Sequence, residues 1–200
     1  MFELLAATGN VGKIKEFEEL FAHFPIRLRS LSEFDNLIEP EETGANFAEN
    51  AILKARYYSM NTGIWALADD SGLEVSALNG APGLFSARYG GEHLDFRAKI
   101  EMLLNELEAT KDKQRLARFV CAMAISDESG EIKNLSEGIC EGKIAITPIG
   151  INGFGFDSIF IPNGYRNTFG ELSGEIKHKI SHRAQAISGN IEYLRKFLDC

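Results

Sequence analysis

The segment FELLAATGNVGKIKEFEELFAHF, residues 2–24, decides the fold class. Phe2 to Ala7 is a short apolar run that ends in Thr8-Gly9-Asn10, and Ile14, Phe17, Leu20, Phe21 and Phe24 then recur at helical spacing. The order is strand, tight loop, helix. Free backbone N–H groups at such a helix start, with the helix dipole behind them, favour phosphate.

Outward from that unit, Ile26 to Leu31 alternates like a strand. An acidic stretch through Glu39, Glu41 and Glu42 then leads to Thr43, the expected cap of a helix from Asn46 to about Thr62. Ile64 to Ala68 is wholly apolar, as expected of a strand covered on both faces, and it runs into Asp69-Asp70-Ser71-Gly72. Leu73 to Leu78 alternates before the Asn79-Gly80 turn signal, and Leu94 to Leu107 is an amphipathic helix. Leu116 to Ile125 and Ile132 to Ile146 form an expected antiparallel ribbon joined through Glu128-Ser129-Gly130. After the turn at Gly150, Gly153 and Gly155, a strand is expected over Ser158 to Ile161. Ala184, Ile187, Ile191 and Leu194 mark a final helix capped by Ser181. The expected class is α/β with a mixed sheet, and residues 1–200, without repeat or linker, read as one continuous domain.

The bulk numbers narrow the function. The 200 residues are 44% hydrophobic and 25% charged, enough for one sizeable core. A formal net charge of −8 argues against nucleic-acid or membrane surfaces as partners, since both demand clustered Lys and Arg. A polyanionic ligand must then be met by a few placed cations, amides or a metal. Cys121, Cys140 and Cys200 make neither a CxxC pair nor an even framework, so reduced buried thiols are expected. No apolar stretch reaches membrane-spanning length and Met1 to Asn10 has no signal-peptide pattern, so the cytoplasm is the expected location.

Four groups of residues could carry chemistry. Thr8-Gly9-Asn10-Val11-Gly12-Lys13 offers amides and a full positive charge to phosphate, although Ile14 stands where a P-loop needs Ser or Thr, and a turn with a solvated lysine is the competing reading. Adjacent Asp69 and Asp70 leaving a buried strand are costly without a cation or water to solvate them. With Glu41 or Glu42 from another loop they make a carboxylate site for a hard cation; caps on turn amides are the alternative. Phe154-Gly155-Phe156-Asp157 sets aromatic rings beside mobile backbone, where a nucleobase could stack, against a default of core packing. Lys177, Lys179, His182 and Arg183 gather at the entrance of the last helix, where the dipole disfavours cations unless an anion or a base carbonyl is near.

Together these stretches resemble the inosine triphosphate pyrophosphatases, also described as dITP/XTP pyrophosphatases. The resemblance runs through five ordered blocks: ATGNVGK, ETGANFAENAILKA, ALADDSGLEVSALNGAPGLFSARYGG, GFGFDSIF and ELSGEIKHKISHRAQA. It implies an elongated mixed sheet flanked by helices, forming two lobes with the nucleotide in the cleft between them, and a homodimer. It implies hydrolysis of ITP, dITP and XTP to a monophosphate and pyrophosphate, with Mg2+ as cofactor. Carried over by position, Thr8, Gly9, Asn10, Val11, Gly12 and Lys13 hold the triphosphate, Asp70 is the general base and a metal ligand, and Glu41 or Glu42 is the second metal carboxylate. Ser71 is a substrate contact; Phe154, Gly155, Phe156, Asp157, Lys177, His182 and Arg183 match the base-binding positions. The chain departs from the family pattern at Ser158 in place of Pro, Gly170 in place of Ala and Ile176 in place of an acidic residue. A nucleotide sensor that binds without cutting, and a phosphotransferase, are the competing functions.

Overall fold

A computed structural model describes residues 1–34, 37–91 and 93–198. Six strands form one sheet in the order β2-β1-β3-β4-β5-β6, made by β1 (Phe2–Ala6), β2 (Ile26–Ser30), β3 (Trp65–Val75), β4 (Leu116–Ser126), β5 (Ile132–Ile144) and β6 (Phe160–Pro162). The helices are α1 (Val11–Phe21), α2 (Phe47–Thr62), α3 (Phe96–Thr110), α4 (Gly174–Ile180) and α5 (His182–Phe197). β1 pairs in parallel with β2 and with β3, while β5 and β6 are antiparallel, so the sheet is mixed as expected. Parallel neighbours need long crossovers, which α1 and α2 supply. Between β4 and β5 a tight turn is closed by the Asp127 amide donating to the Glu131 carbonyl at 3.0 Å. No helix among the described residues is long and apolar enough to cross a membrane.

The chain divides into two compact units. Residues 1–70, 121–138 and 183–200 form the first, and residues 71–120 and 139–182 the second. Each has its own apolar core. Leu4, Phe17, Leu67, Met123, Ile125 and Leu194 fill the first, and Leu73, Leu103, Leu107, Phe160 and Phe169 fill the second. Full burial of one such side chain contributes about 1.5–3 kcal/mol. Cys121 and Cys140 are buried free thiols, as expected; Cys200 lies outside the described residues.

The structure corrects several local readings. Asp69-Asp70-Ser71-Gly72 does not leave a strand end: β3 runs unbroken from Trp65 to Val75, and Ser76–Leu78 is a 3-10 turn rather than strand. The cap of α2 is Asn46, whose side chain accepts from the Glu49 amide at 2.9 Å, and Thr43 lies outside the helix. The Glu49 carboxylate returns to the Ala45 amide at 2.9 Å, so the two side chains satisfy donors at the helix start. α4 was not foreseen; Ser181 ends it and directly precedes α5, the expected final helix. Lys177 and Lys179 therefore lie in the last turn of a helix, where the dipole favours cations, and not at an entrance where it opposes them. The strand expected over Ser158 to Ile161 is a 3-10 turn, Asp157–Ile159, followed by β6.

Candidate active site

Alternation along β3 is what separates the two aspartates. Successive residues of a strand point to opposite faces, so neighbours in sequence acquire different partners. Asp69 faces Lys13, whose Nζ is 2.9 Å from its Oδ2, together with Arg183 Nε at 3.5 Å. The Cys121 thiol lies 3.9 Å from the same oxygen. Arg183 also donates to Glu16 on α1. Burial alone would raise the pKa of Asp69, but Lys13, Arg183 and Lys54 outweigh it and hold the carboxyl well below its ordinary range.

Asp70 turns to α2. Asn50 Nδ2 donates to its Oδ2 at 2.9 Å, and Lys54 Nζ stands 3.7 Å from its Oδ1. Lys54 also contacts Glu42 at 2.6 Å. One ammonium thus lies between the carboxylates of Glu42 and Asp70. Here burial wins: the pKa of Asp70 is raised although Lys54 and Asn50 act to lower it. For Lys54 burial works to lower the pKa, and Asp70, Asp69 and Glu42 overcome it and raise it. Adjacent carboxyls of one strand are pushed in opposite directions, Asp69 down by its cations and Asp70 up by burial.

Asn50, Lys54 and Glu16 were not singled out in the sequence, and Cys121 was read only as a buried thiol. A signal existed for the first two. On α2 they are four residues apart and share the buried set with Phe47, Ala51, Ala55 and Tyr58, so a polar pair sits within the apolar stripe of a helix. Glu16 likewise follows Lys13 by three residues and is buried beside Phe17.

The remaining phosphate-side candidates stand as follows. Asn10 caps α1, its side chain accepting from the Lys13 amide at 3.2 Å, and the Thr8 hydroxyl accepts from the Asn10 amide at 3.2 Å. Gly9 and Val11 are exposed and Gly12 is half-buried. Glu41 is exposed, Ser71 half-buried. Among the described residues no three His, Cys, Asp or Glu side chains gather in a way that could hold a metal by themselves.

The second unit holds the aromatic group. Asp157 is buried, and its Oδ2 accepts from the Phe154 amide at 2.8 Å and from Lys177 Nζ at 2.7 Å. The carboxylate closes the turn 154–157 on itself and anchors the lysine to it. Lys177 Nζ also lies 4.8 Å from the centroid of the Phe154 ring, in cation–π range. His182 is stacked on Phe119, with centroids 4.7 Å apart and planes 13° apart. Two of the three departures from the family pattern meet in this unit. A Cβ on Gly170 would come 2.9 Å from the Cα of Ser158 and 2.6 Å from the Ile149 carbonyl, so an alanine would not fit this backbone without a shift.

Residues 4–193 match the Ham1 family. The chain is 45% identical to a dITP/XTP pyrophosphatase of Bacillus anthracis over 188 residues, covering 94% of this chain and 93% of that protein. It is 46% identical to a dITP/XTP pyrophosphatase of Bacillus subtilis (strain 168), covering 94% of each. Among solved structures it is similar to a HAM1 protein from Coxiella burnetii, with 40% identity, a TM-score of 0.89 and coverage of 98% of this chain and 100% of that one. A Staphylococcus aureus Ham1 protein gives 43% identity and a TM-score of 0.82, with 98% of each chain covered.

Proposed function

Because this chain belongs to the Ham1 family, we propose that it hydrolyses aberrant purine nucleoside triphosphates, ITP, dITP and XTP, to a nucleoside monophosphate and pyrophosphate. The observation that carries the reading is Asp70, a buried carboxyl with a raised pKa beside a lysine and a second carboxylate. In this reading Asp70 accepts the proton of the attacking water at Oδ1, the oxygen nearer Lys54, while Asn50 fixes Oδ2. Lys13 has three N–H donors, so its ammonium can keep Asp69 and still meet a phosphate oxygen, with Thr8 to Gly12 supplying the rest of the cradle. Asp69 is then the residue that holds Lys13 in place.

Glu42 and Asp70 are both oxygen donors and share one cation in this structure, the Lys54 ammonium, a donor set that suits a hard divalent ion. We assign magnesium to Asp70 with Glu41 or Glu42; when bound it neutralises phosphate oxygens and lowers the pKa of a coordinated water. Ser71 follows Asp70 on β3 as a substrate contact. The turn Phe154, Gly155, Phe156 and Asp157, with Lys177 and His182, takes the purine ring, and the donor character of Lys177 and His182 favours a 6-carbonyl over the amino group of adenine. The protein acts in the cytoplasm, as a homodimer.

Incubation with ITP and magnesium, followed by separate assays for pyrophosphate and orthophosphate, tests this. Pyrophosphate without orthophosphate is the expected product, and excess EDTA stops its release. Orthophosphate would instead indicate removal of the terminal phosphate, and tight binding without either product would indicate a sensor.

A further inference from the structure

α3 begins with two residues that none of the assignments above uses. Its first turn is capped by Asp95, whose side chain accepts from the Ala98 amide at 2.8 Å. The turn presents Phe96, a large ring left 37% exposed, and Lys99, a charged residue that is only 4% exposed. The placement of Lys99 is unusual, since lysine is almost never fully buried without a partner. Lys99 Nζ donates to the Ala87 carbonyl at 2.6 Å and lies 5.0 Å from the centroid of the Phe96 ring.

The Phe96 ring in turn packs against the turn 154–157. It meets Phe156 edge to face, with centroids 5.6 Å apart and planes 86° apart. The same ring flanks Gly155: a Cβ built on that glycine would lie 3.5 Å from it, ordinary van der Waals contact. Gly155 has φ of +63°, a conformation that glycine adopts without strain and other residues do not, so the turn depends on its surroundings to stay in one shape. Asp157 and Lys177 hold its far end, as described above. Phe96 is the wall at its middle, and Lys99 holds that wall to the segment 83–88 through Ala87.

We infer that Phe96, backed by Lys99, is a positioning residue for the turn 154–157 and thereby sets the affinity for the purine base. The inference rests on the assignment of that turn to the base. Phe96 acts through Gly155 and Phe156, so its loss loosens base binding and leaves the phosphate chemistry of the first unit alone.

The test uses the full chain, with ITP as substrate and inorganic tripolyphosphate, which has no base, as a competitive inhibitor. Phe96→Ala is expected to raise KM for ITP by about three- to tenfold, the range of one lost aromatic pair, with kcat within about twofold of wild type. Inhibition by tripolyphosphate is expected to be unchanged. Phe96→Tyr keeps the ring and is expected to restore KM; Lys99→Met is expected to shift KM in the same direction and by less. Phe154→Ala runs in parallel as the check on the underlying assignment. If Phe154→Ala raises KM and Phe96→Ala does not, the inference about α3 falls while the base assignment stands. If Phe154→Ala leaves KM unchanged, the base assignment falls and the inference with it. Equal weakening of ITP and tripolyphosphate in Phe96→Ala would mean general damage to the protein and would also overturn the proposal.

Discussion

Asp69 with the half-buried Lys13 in the first unit and Asp157 with Lys177 in the second are both close ion pairs, at 2.9 and 2.7 Å. Their surroundings differ. Asp69 and Asp70 stand among three cations and two further carboxylates, and the charges within a few ångströms decide each protonation state. Asp157 and Lys177 stand among rings, Phe154 and Phe169 both within cation–π range of the ammonium. The same two residue types therefore sit in a field of competing charges in one unit and in a ring-walled joint in the other. A charge in a crowd of charges is tuned; a charge pair walled by rings is a fixed joint.

That contrast can be broken. Its largest expected consequence is that Asp70→Asn lowers kcat for ITP by at least about 100-fold, the usual cost of removing a positioned base, with KM little changed. Pyrophosphate release measures it. Near-normal turnover would remove the chemical half of the contrast. In the second unit Asp157→Asn is expected to act on stability, by about 2 kcal/mol, because the ammonium and the Phe154 amide lose a charged acceptor. Urea denaturation reads that loss, and a normal midpoint with slowed turnover would show that the pair belongs to the chemistry after all.

Smaller effects sharpen the contrast. Asn46→Ala removes the cap of α2, the helix that carries Asn50 and Lys54, and is expected to lower stability by about 1 kcal/mol in thermal unfolding. The smallest change concerns only pH. Asn50 donates to Asp70 and so favours its charged form; Asn50→Ala removes that donor and raises the pKa of Asp70 further. The base works as the anion, so turnover is lost as pH falls through this pKa, and the acid limb of kcat should move to higher pH in the mutant. A limb that moves down or stays put would mean that another group controls it.

The opening βαβ arrangement was legible because its signals are local: the apolar run ends one residue past β1, a polar turn follows, and the apolar stripe covers α1 and overruns its end at Phe21 by three residues. The hairpin of β4 and β5 was legible for the same reason. α4 was not, since its seven residues are too few to show a period and its two lysines, Lys177 and Lys179, were read with the helix that follows. Arg183 shows the limit for single residues. As a donor near a helix start it reads as a ligand contact, yet its guanidinium is buried against Asp69 and Glu16, partners distant in sequence by 114 and 167 positions.

The sequence by itself determined the α/β class, the mixed order of strands and helices, and the residue types able to hold a triphosphate, because propensity, periodicity and motif act over a few residues at a time. Only the tertiary structure decided that β3 runs straight through Asp69 and Asp70. Two charges in mid-strand are unfavourable locally, and nothing within the segment reports the cations that other elements bring to it. Lys13 comes from α1, Lys54 from α2 and Arg183 from α5, and the alternation of an unbroken strand assigns the first and last to Asp69 and the second to Asp70. Which aspartate has its pKa lowered and which has it raised follows from that assignment, and so from pairings between residues far apart in the chain.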